Sequence, residues 1–199
     1  MSKNWLAERK QDKYYRKAKE SGYRSRASYK LIFIQEKFNI FREGNTVLDL
    51  GAAPGGWSQV AREFIGGRGT VIEVDLQVIQ PIPGMQFIRG DINDAETLDL
   101  IAGKLNGRAV DVVLSDMAPN ISGNYSMDHA RSVSLCERAL DIAVIFRAKV
   151  IVFKIFQGDL YDDFIQKVKR HYRSCKAYKS KASRDESSEI YIVGKGFIS

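Results

Sequence analysis

The sequence predicts an α/β protein built on a doubly wound, mostly parallel sheet of seven strands, and three observations carry that prediction. Short β-rich runs alternate with helical stretches after residue 45, those runs are nearly continuous Val and Ile, and the last two runs have only "SRDESS" between them. Strands that alternate with helices are joined by crossovers and therefore run parallel, and strands apolar on both faces are covered by helices on both sides. A short link between the final two runs makes an antiparallel hairpin instead, so the last strand is expected to run against the rest.

The elements follow in order. Residues 4–19 combine helix formers with a polar, basic face, and "SRASYKLIFIQEKF" reads as a second helix with Ser25 or Ser28 near its cap. The strand candidates are "TVLDL" (46–50), "TVIEVD" (70–75), "MQFIRGD" (85–91), "VDVVLSD" (110–116), "KVIVFKIF" (149–156), "CKAYKSKA" (175–182) and "EIYIVGKG" (189–196). Helical segments are expected near 57–65, 94–105, 129–147 and 160–172.

A chain of 199 residues with 44% hydrophobic and 28% charged residues is read as one globular domain over 1–199, with a basic helical segment at 1–26. Its longest apolar run, Ala139 to Phe146, is far short of the roughly 18 residues of a membrane span, and no apolar leader region follows the basic N-terminus. A cytoplasmic protein is expected. Cys136 and Cys175 are too few and too isolated for a disulfide framework or a zinc site, so partly buried thiols and no metal are expected. No heptad or exposed apolar stripe asks for a second copy, which leaves a monomer.

The net charge of +7 is unevenly spread. Residues 1–26 hold nine Lys/Arg against three acids, and residues 167–184 hold eight Lys/Arg and no acid, so the rest of the chain is net acidic. Trp5, Tyr14, Tyr15, Tyr23, Tyr172 and Tyr178 are interleaved with those basic residues. Segregated cations with aromatic neighbours favour a polyanionic partner, with nucleic acid the leading candidate.

In a doubly wound sheet the ligand lies beyond the carboxyl ends of the strands, so the chemistry belongs to the residues that close each run. Those ends read "DLGAAPGGW", Asp75, Gly90 and Asp91, "SDMAPN" and "KIFQG". The spacing from Gly51 to Gly55 and Gly56 is not the G-x-G-x-x-G of a dinucleotide turn, and no G-K-[ST] completes a phosphate loop. A glycine turn remains, beside which a ligand can lie against the backbone. Asp75 follows Gly51 by 24 residues, where a carboxylate can accept both hydroxyls of an adenosine ribose. Asp75 alone leaves a hydride cofactor open, although the glycine pattern counts against one.

Taken together, "DLGAAPGGWSQ", "SDMAPNISG", "KIFQG" and "SSEIYIV", in this order and spacing, resemble the RrmJ/FtsJ family of S-adenosylmethionine-dependent RNA ribose 2′-O-methyltransferases. The resemblance runs from "SRASYKL" to "EIYIVGKG" and implies a class I methyltransferase fold. It also implies a catalytic tetrad, matched by motif to Lys30, Asp116, Lys154 and Glu189. For the cofactor it places Gly55, Gly56 and Trp57 beside the methionine portion, Asp75 on the ribose, Asp91 near the adenine amino group and Asp116 near the sulfonium, with Gly51 also among the cofactor-binding residues. Two stretches depart from the family pattern: "VDLQVIQPIPG" after the second strand, and "SRDESSE", which carries acids where that loop is usually more basic.

The chemistry suits those residue types. A ribose 2′-hydroxyl is a weak nucleophile, so methyl transfer needs a base within hydrogen-bond reach and the reacting atoms held in line. A lysine acts as base only when burial or a neighbouring cation brings its pKa down from about 10.4. Lys154, ending an apolar strand with Lys30 as a cationic neighbour, is the candidate, with Asp116 and Glu189 orienting the lysines and Lys30 steering the substrate. His129 reads as solvent-exposed or as a helix cap, and His171 as at most a phosphate contact.

Among family members, short ones without a C-terminal extension act mostly on a uridine ribose of large-subunit ribosomal RNA, whereas eukaryote-like ones act on the tRNA anticodon loop. The basic N-terminal segment and minimal length favour ribosomal RNA. A non-catalytic RNA-binding assembly factor is the reading of a different class, and the complete tetrad argues against it.

Overall fold

The computed structural model describes residues 12–184 and 186–199. Two helices, α1 (Lys13–Glu20) and α2 (Ala27–Phe38), precede β1 (Thr46–Leu50), α3 (Gly56–Ile65), β2 (Thr70–Asp75), β3 (Met85–Arg89) and α4 (Ala95–Leu105). Then come β4 (Val112–Ser115), α5 (Tyr125–Ile145), β5 (Val150–Phe156), α6 (Tyr161–His171), β6 (Tyr172–Tyr178) and β7 (Glu189–Phe197). The helix expected from residue 4 is described from Lys13 onward, and its earlier part lies outside the described residues.

The seven strands form one sheet in the order β3-β2-β1-β4-β5-β7-β6. Pairings from β3 through β5 are parallel, and β7 runs antiparallel to both neighbours, with Phe156 opposite Glu189 and Tyr178 opposite Tyr191. Strand order reverses between β1 and β4, which opens a crevice at their carboxyl ends. Because β7 is reversed, its first residue, Glu189, sits at the same sheet edge as the last residues of β4 and β5.

Both faces of the sheet are covered, as the near-continuous apolar strands require. On one face Leu48, Leu50, Ile72, Val113 and Phe153 pack with Ile101 of α4, Leu140 of α5 and Phe164 of α6. On the other, Val47, Val71, Leu114 and Val152 pack with Leu31 and Ile34 of α2 and Val60 and Ile65 of α3. No described helix is long and apolar enough to cross a membrane.

Three local expectations are corrected. Strand β6 starts at Tyr172 rather than 175 and ends at Tyr178, because α6 passes into it with no intervening turn residue. Helix α5 starts at Tyr125 rather than 129, since Asn124 caps it by accepting from the Met127 N–H. Neither Ser25 nor Ser28 caps α2: Arg26 holds the cap position without a side-chain bond, and the Ser28 hydroxyl donates to the Gly56 carbonyl at 3.0 Å.

Candidate active site

The crevice at the sheet's switch point widens into a cavity of about 1020 Å³. Gly51, Asp75, Asp91 and Asp116, each closing a strand or opening the loop after it, line this cavity. Gly51 turns the chain with a φ of 71°, and a Cβ added there would collide with the Met117 side chain. Asp75 also ties the glycine loop to β2: its Oδ2 accepts from the Ala53 N–H at 2.9 Å and its Oδ1 from the Gln77 N–H at 2.8 Å. Asp91 Oδ1 accepts from the Asn93 backbone and side-chain amides, both at 2.9 Å.

Arg24 also lines the cavity, and no motif in the sequence pointed to it. Its guanidinium donates to the carbonyls of Pro54 (3.2 Å), Gln80 (2.6 Å) and Pro81 (3.2 Å), joining the glycine loop to the β2–β3 loop. That second loop is the divergent "LQVIQPIPG" stretch, and its Leu76, Val78 and Ile79 supply apolar wall.

Gly55, Gly56 and Trp57, expected to touch the cofactor, do not line the cavity. They open α3 beneath the N-terminal helical pair: Gly55 lies against Arg24 and Gly56 against Ser25 and Ser28. Trp57 is buried, donates from Nε1 to the Ala27 carbonyl at 2.9 Å and packs 5.7 Å from the Tyr191 ring. Its apolar surface is committed to the α2–α3–β7 core, so it supports the site from behind.

The four tetrad candidates converge at the crevice in two ion pairs. Lys30 Nζ lies 2.6 Å from Glu189 Oε1, and Lys154 Nζ lies 3.2 Å from Asp116 Oδ1 while also donating to the Asp116 main-chain carbonyl. The lysine and glutamate side chains are largely buried, and Asp116 reaches the cavity wall. Tyr191 joins the pairs: its hydroxyl donates to Asp116 Oδ1 at 3.0 Å, and its ring lies 5.6 Å below Lys30 Nζ. Burial, then the charges of Asp116 and Glu189, raise the Tyr191 hydroxyl well above the ordinary tyrosine value, so it remains a donor. Tyr191 was also missed, although its place two residues beyond Glu189 on one strand puts both on one face. The Cys136 thiol donates to the Lys154 carbonyl at 2.9 Å and steadies that strand.

Below the cavity, Asp49 of β1 and Glu73 of β2 sit side by side in register, both buried. Burial, reinforced by Glu73, Asp116 and Asp75, pushes the Asp49 carboxyl up to about 8 against the opposing hydrogen bond from Ser58 Oγ at 2.6 Å. Burial likewise raises Glu73, whose Oε1 has no partner.

Beside the tetrad a second hollow of about 440 Å³ is lined by Arg26, Lys30, Arg184, Glu186, Ser187 and Glu189. Arg26 was missed, yet it stands four residues before Lys30, the helical spacing that puts two side chains on one face. The two basic segments meet here. Arg26 donates to the Ala182 carbonyl and pairs with Asp12, Arg184 Nε lies 3.9 Å from Asp12 Oδ2, and Ala182 packs with Ala18 and Tyr29.

His129 is neither exposed nor a cap. It is buried one turn into α5, where its Nδ1 lies 3.1 Å from the Phe156 carbonyl and its Nε2 accepts from the Leu160 N–H at 2.9 Å. The ring therefore carries its proton on Nδ1 and spans the turn after β5. His171 Nδ1 lies 2.6 Å from the Ser199 carbonyl, away from the tetrad.

The FtsJ-like methyltransferase family profile matches residues 23–197. The chain is 51% identical over 192 residues to ribosomal RNA large subunit methyltransferase E of Methanocella arvoryzae, covering 96% of this chain and 74% of that one. It is 50% identical over 201 residues to the protein of the same name from Methanothermobacter thermautotrophicus, covering 99% and 95% of the two chains. Acinetobacter baylyi has one 43% identical over 197 residues, covering 98% and 91%. A Plasmodium falciparum crystal structure designated a ribosomal RNA methyltransferase superposes with a TM-score of 0.78 at 27% identity, covering 88% of this chain and 98% of that one. A profile match across the sheet, the glycine loop and all four tetrad positions makes this chain a member of the FtsJ-like methyltransferase family.

Proposed function

We propose that this protein is an S-adenosylmethionine-dependent methyltransferase acting on a ribose 2′-hydroxyl of large-subunit ribosomal RNA, most simply a uridine, as a cytoplasmic monomer of one domain. The observation that carries the reading is the convergence of Lys30–Glu189 and Lys154–Asp116 around Tyr191, with Asp116 shared by the cavity wall. The relatives named for large-subunit ribosomal RNA methylation, together with the joined basic segments, support the substrate.

The cavity fits the cofactor chemically. Apolar walls from Val74, Ile79, Ile92 and Leu135 suit an adenine, and carboxylates at Asp75, Asp91 and Asp116 suit ribose hydroxyls and cationic groups. In the proposed arrangement Asp75 holds the ribose, Asp91 the adenine side and Asp116 the sulfonium side, with Gly51 admitting the ligand close to the backbone. Gly55, Gly56 and Trp57 act indirectly, by fixing the loop. When bound, S-adenosylmethionine supplies an electrophilic methyl group for direct displacement by the ribose oxygen.

The chain's own residues do the rest. Lys154, as the neutral amine, accepts the hydroxyl proton as the C–O bond forms and so becomes the ammonium that pairs with Asp116, which Tyr191 fixes in turn. Lys30, held by Glu189, places a positive charge beside the reacting oxygen and draws in the phosphate backbone. Methyl-labelled S-adenosylmethionine incubated with separate pools of tRNA, naked ribosomal RNA and large subunits tests the reading. Label is expected in the ribosomal pools, and label in tRNA alone would overturn the substrate. Lys154→Ala is expected to lose turnover by at least about a hundredfold with cofactor affinity within about twofold. Sustained turnover in that variant rules out Lys154 as base, and an inactive wild type with intact RNA binding favours the assembly-factor reading.

A further inference from the structure

A third hollow, of about 310 Å³, lies immediately beyond the basic one and takes no part in the mechanism above. The two share Glu186 and Ser187, three and two residues before Glu189, so a strand crossing the basic hollow meets this one next. Its lining includes Ile121, Gly123, Tyr125, His129, Ser187 and Ser188.

The two hollows differ in chemistry. In the first, three cations, Arg26, Lys30 and Arg184, outnumber Glu186 and Glu189 and make it a place for phosphate and ribose. No Lys or Arg is among the described lining residues of the second, where Asp128 and Glu186 would repel a phosphate. Asp128 is itself occupied: its carboxylate accepts from the Ser122 and Gly123 N–H groups and the Ser122 hydroxyl, and these bonds hold it below the ordinary carboxylate range. What the second hollow offers is an aromatic face, an apolar lip and hydroxyls.

Tyr125 is the unusual member. It is 61% exposed, yet both ends of its ring are fixed. Its hydroxyl donates to the Gln157 carbonyl at 2.6 Å, and its ring lies within 14° of parallel to buried His129, centroids 6.4 Å apart. Gln157 N–H in turn donates to the Ser188 carbonyl at 3.0 Å, so the floor of the hollow is tied to the strand that begins with Glu189. Ile121, 65% exposed, adds an apolar lip. A rigid, open aromatic face beside apolar and hydroxyl groups is what single-stranded nucleic acid uses as a stacking platform, and every base has a face to offer it.

We infer that Tyr125 stacks on one unpaired nucleobase of the RNA, that of the nucleotide adjoining the one whose ribose lies at the tetrad. The inference rests on the proposed RNA substrate and adds a substrate-binding residue to it. Ser187 and Ser188 offer hydroxyls to the base edge, and the shared Glu186–Ser187 ridge separates base from backbone.

The test is steady-state kinetics with labelled cofactor and whichever RNA pool the wild type methylates. Tyr125→Ala raises the KM for RNA about tenfold, the effect of losing one base stack, with kcat and the KM for cofactor within about twofold of wild type. Tyr125→Phe keeps the ring and restores the RNA KM to within about threefold of wild type. An unchanged RNA KM in Tyr125→Ala, or a loss confined to kcat, overturns the stacking role while leaving the methyltransferase reading intact. A raised KM on assembled subunits with none on naked RNA, where both are substrates, points to a protein contact and overturns it too. A wild type that labels no RNA overturns the proposed substrate and this inference together.

Discussion

Asp49 carries the residue-scale consequence least visible from the tetrad. A carboxyl raised to about 8 by burial is protonated in the folded protein over a range where the unfolded chain has already lost its proton. The folded state then binds more protons, so the stability contribution is full below about 4 and is lost as pH rises toward 8, by at most about 1.4 kcal/mol per pH unit. Thermal unfolding should show the wild-type Tm falling by several degrees between about pH 6 and pH 8, with a smaller fall in Asp49→Asn. Equal slopes in the two proteins would remove Asp49 as the cause. The Asn can still accept the Ser58 hydroxyl, so the comparison isolates the charge.

At the scale of elements, the turn after β5 shows how a short motif is fixed by packing. A Cβ at Gly158 would lie 2.6 Å from the His129 ring, and that ring bridges Phe156 and Leu160 across the turn. Gly158→Ala is therefore expected to displace His129 and to lower Tm by several degrees, about 1–3 kcal/mol in stability, as read by a circular-dichroism melt. The sequence revealed the "FQG" pattern but not this reason, because the partner lies almost thirty residues earlier on another element. The same limit explains the other differences. Strand and helix types were legible from Val/Ile runs and apolar periodicity, and β1, β2 and the start of β7 fell where expected. The start of α5 was hidden in "SGNYSMD", where turn-forming residues masked an Asn cap, and β6 was displaced because α6 runs into it without punctuation. Lys30, Asp116, Lys154 and Glu189 were legible through motif, whereas Arg24 and Tyr191 act through neighbours that no motif spelled out.

Across the whole molecule, charge and fold divide the work. Acidic residues of the body gather around the cavity, and two basic segments far apart in sequence meet at the second hollow, beside the tetrad, through Arg26, Ala182, Asp12 and Arg184. That meeting was not legible from charge runs alone, which said only that two existed. Reversing Lys13 and Lys19 to Glu, both exposed on α1, should weaken RNA binding and flatten its dependence on salt. The slope of log K against log[salt] falls by roughly 0.7 for each phosphate that the protein no longer neutralises. Titration across salt concentrations reads this directly, and an unchanged slope would remove α1 from the RNA surface. Asp116 belongs to both the cavity wall and the tetrad: one carboxylate lines the cavity while it pairs with Lys154 and accepts from Tyr191. A side chain shared in this way cannot be altered for one role alone. Any energy by which filling the cavity alters the tetrad is returned, equal in size, when the tetrad is occupied first.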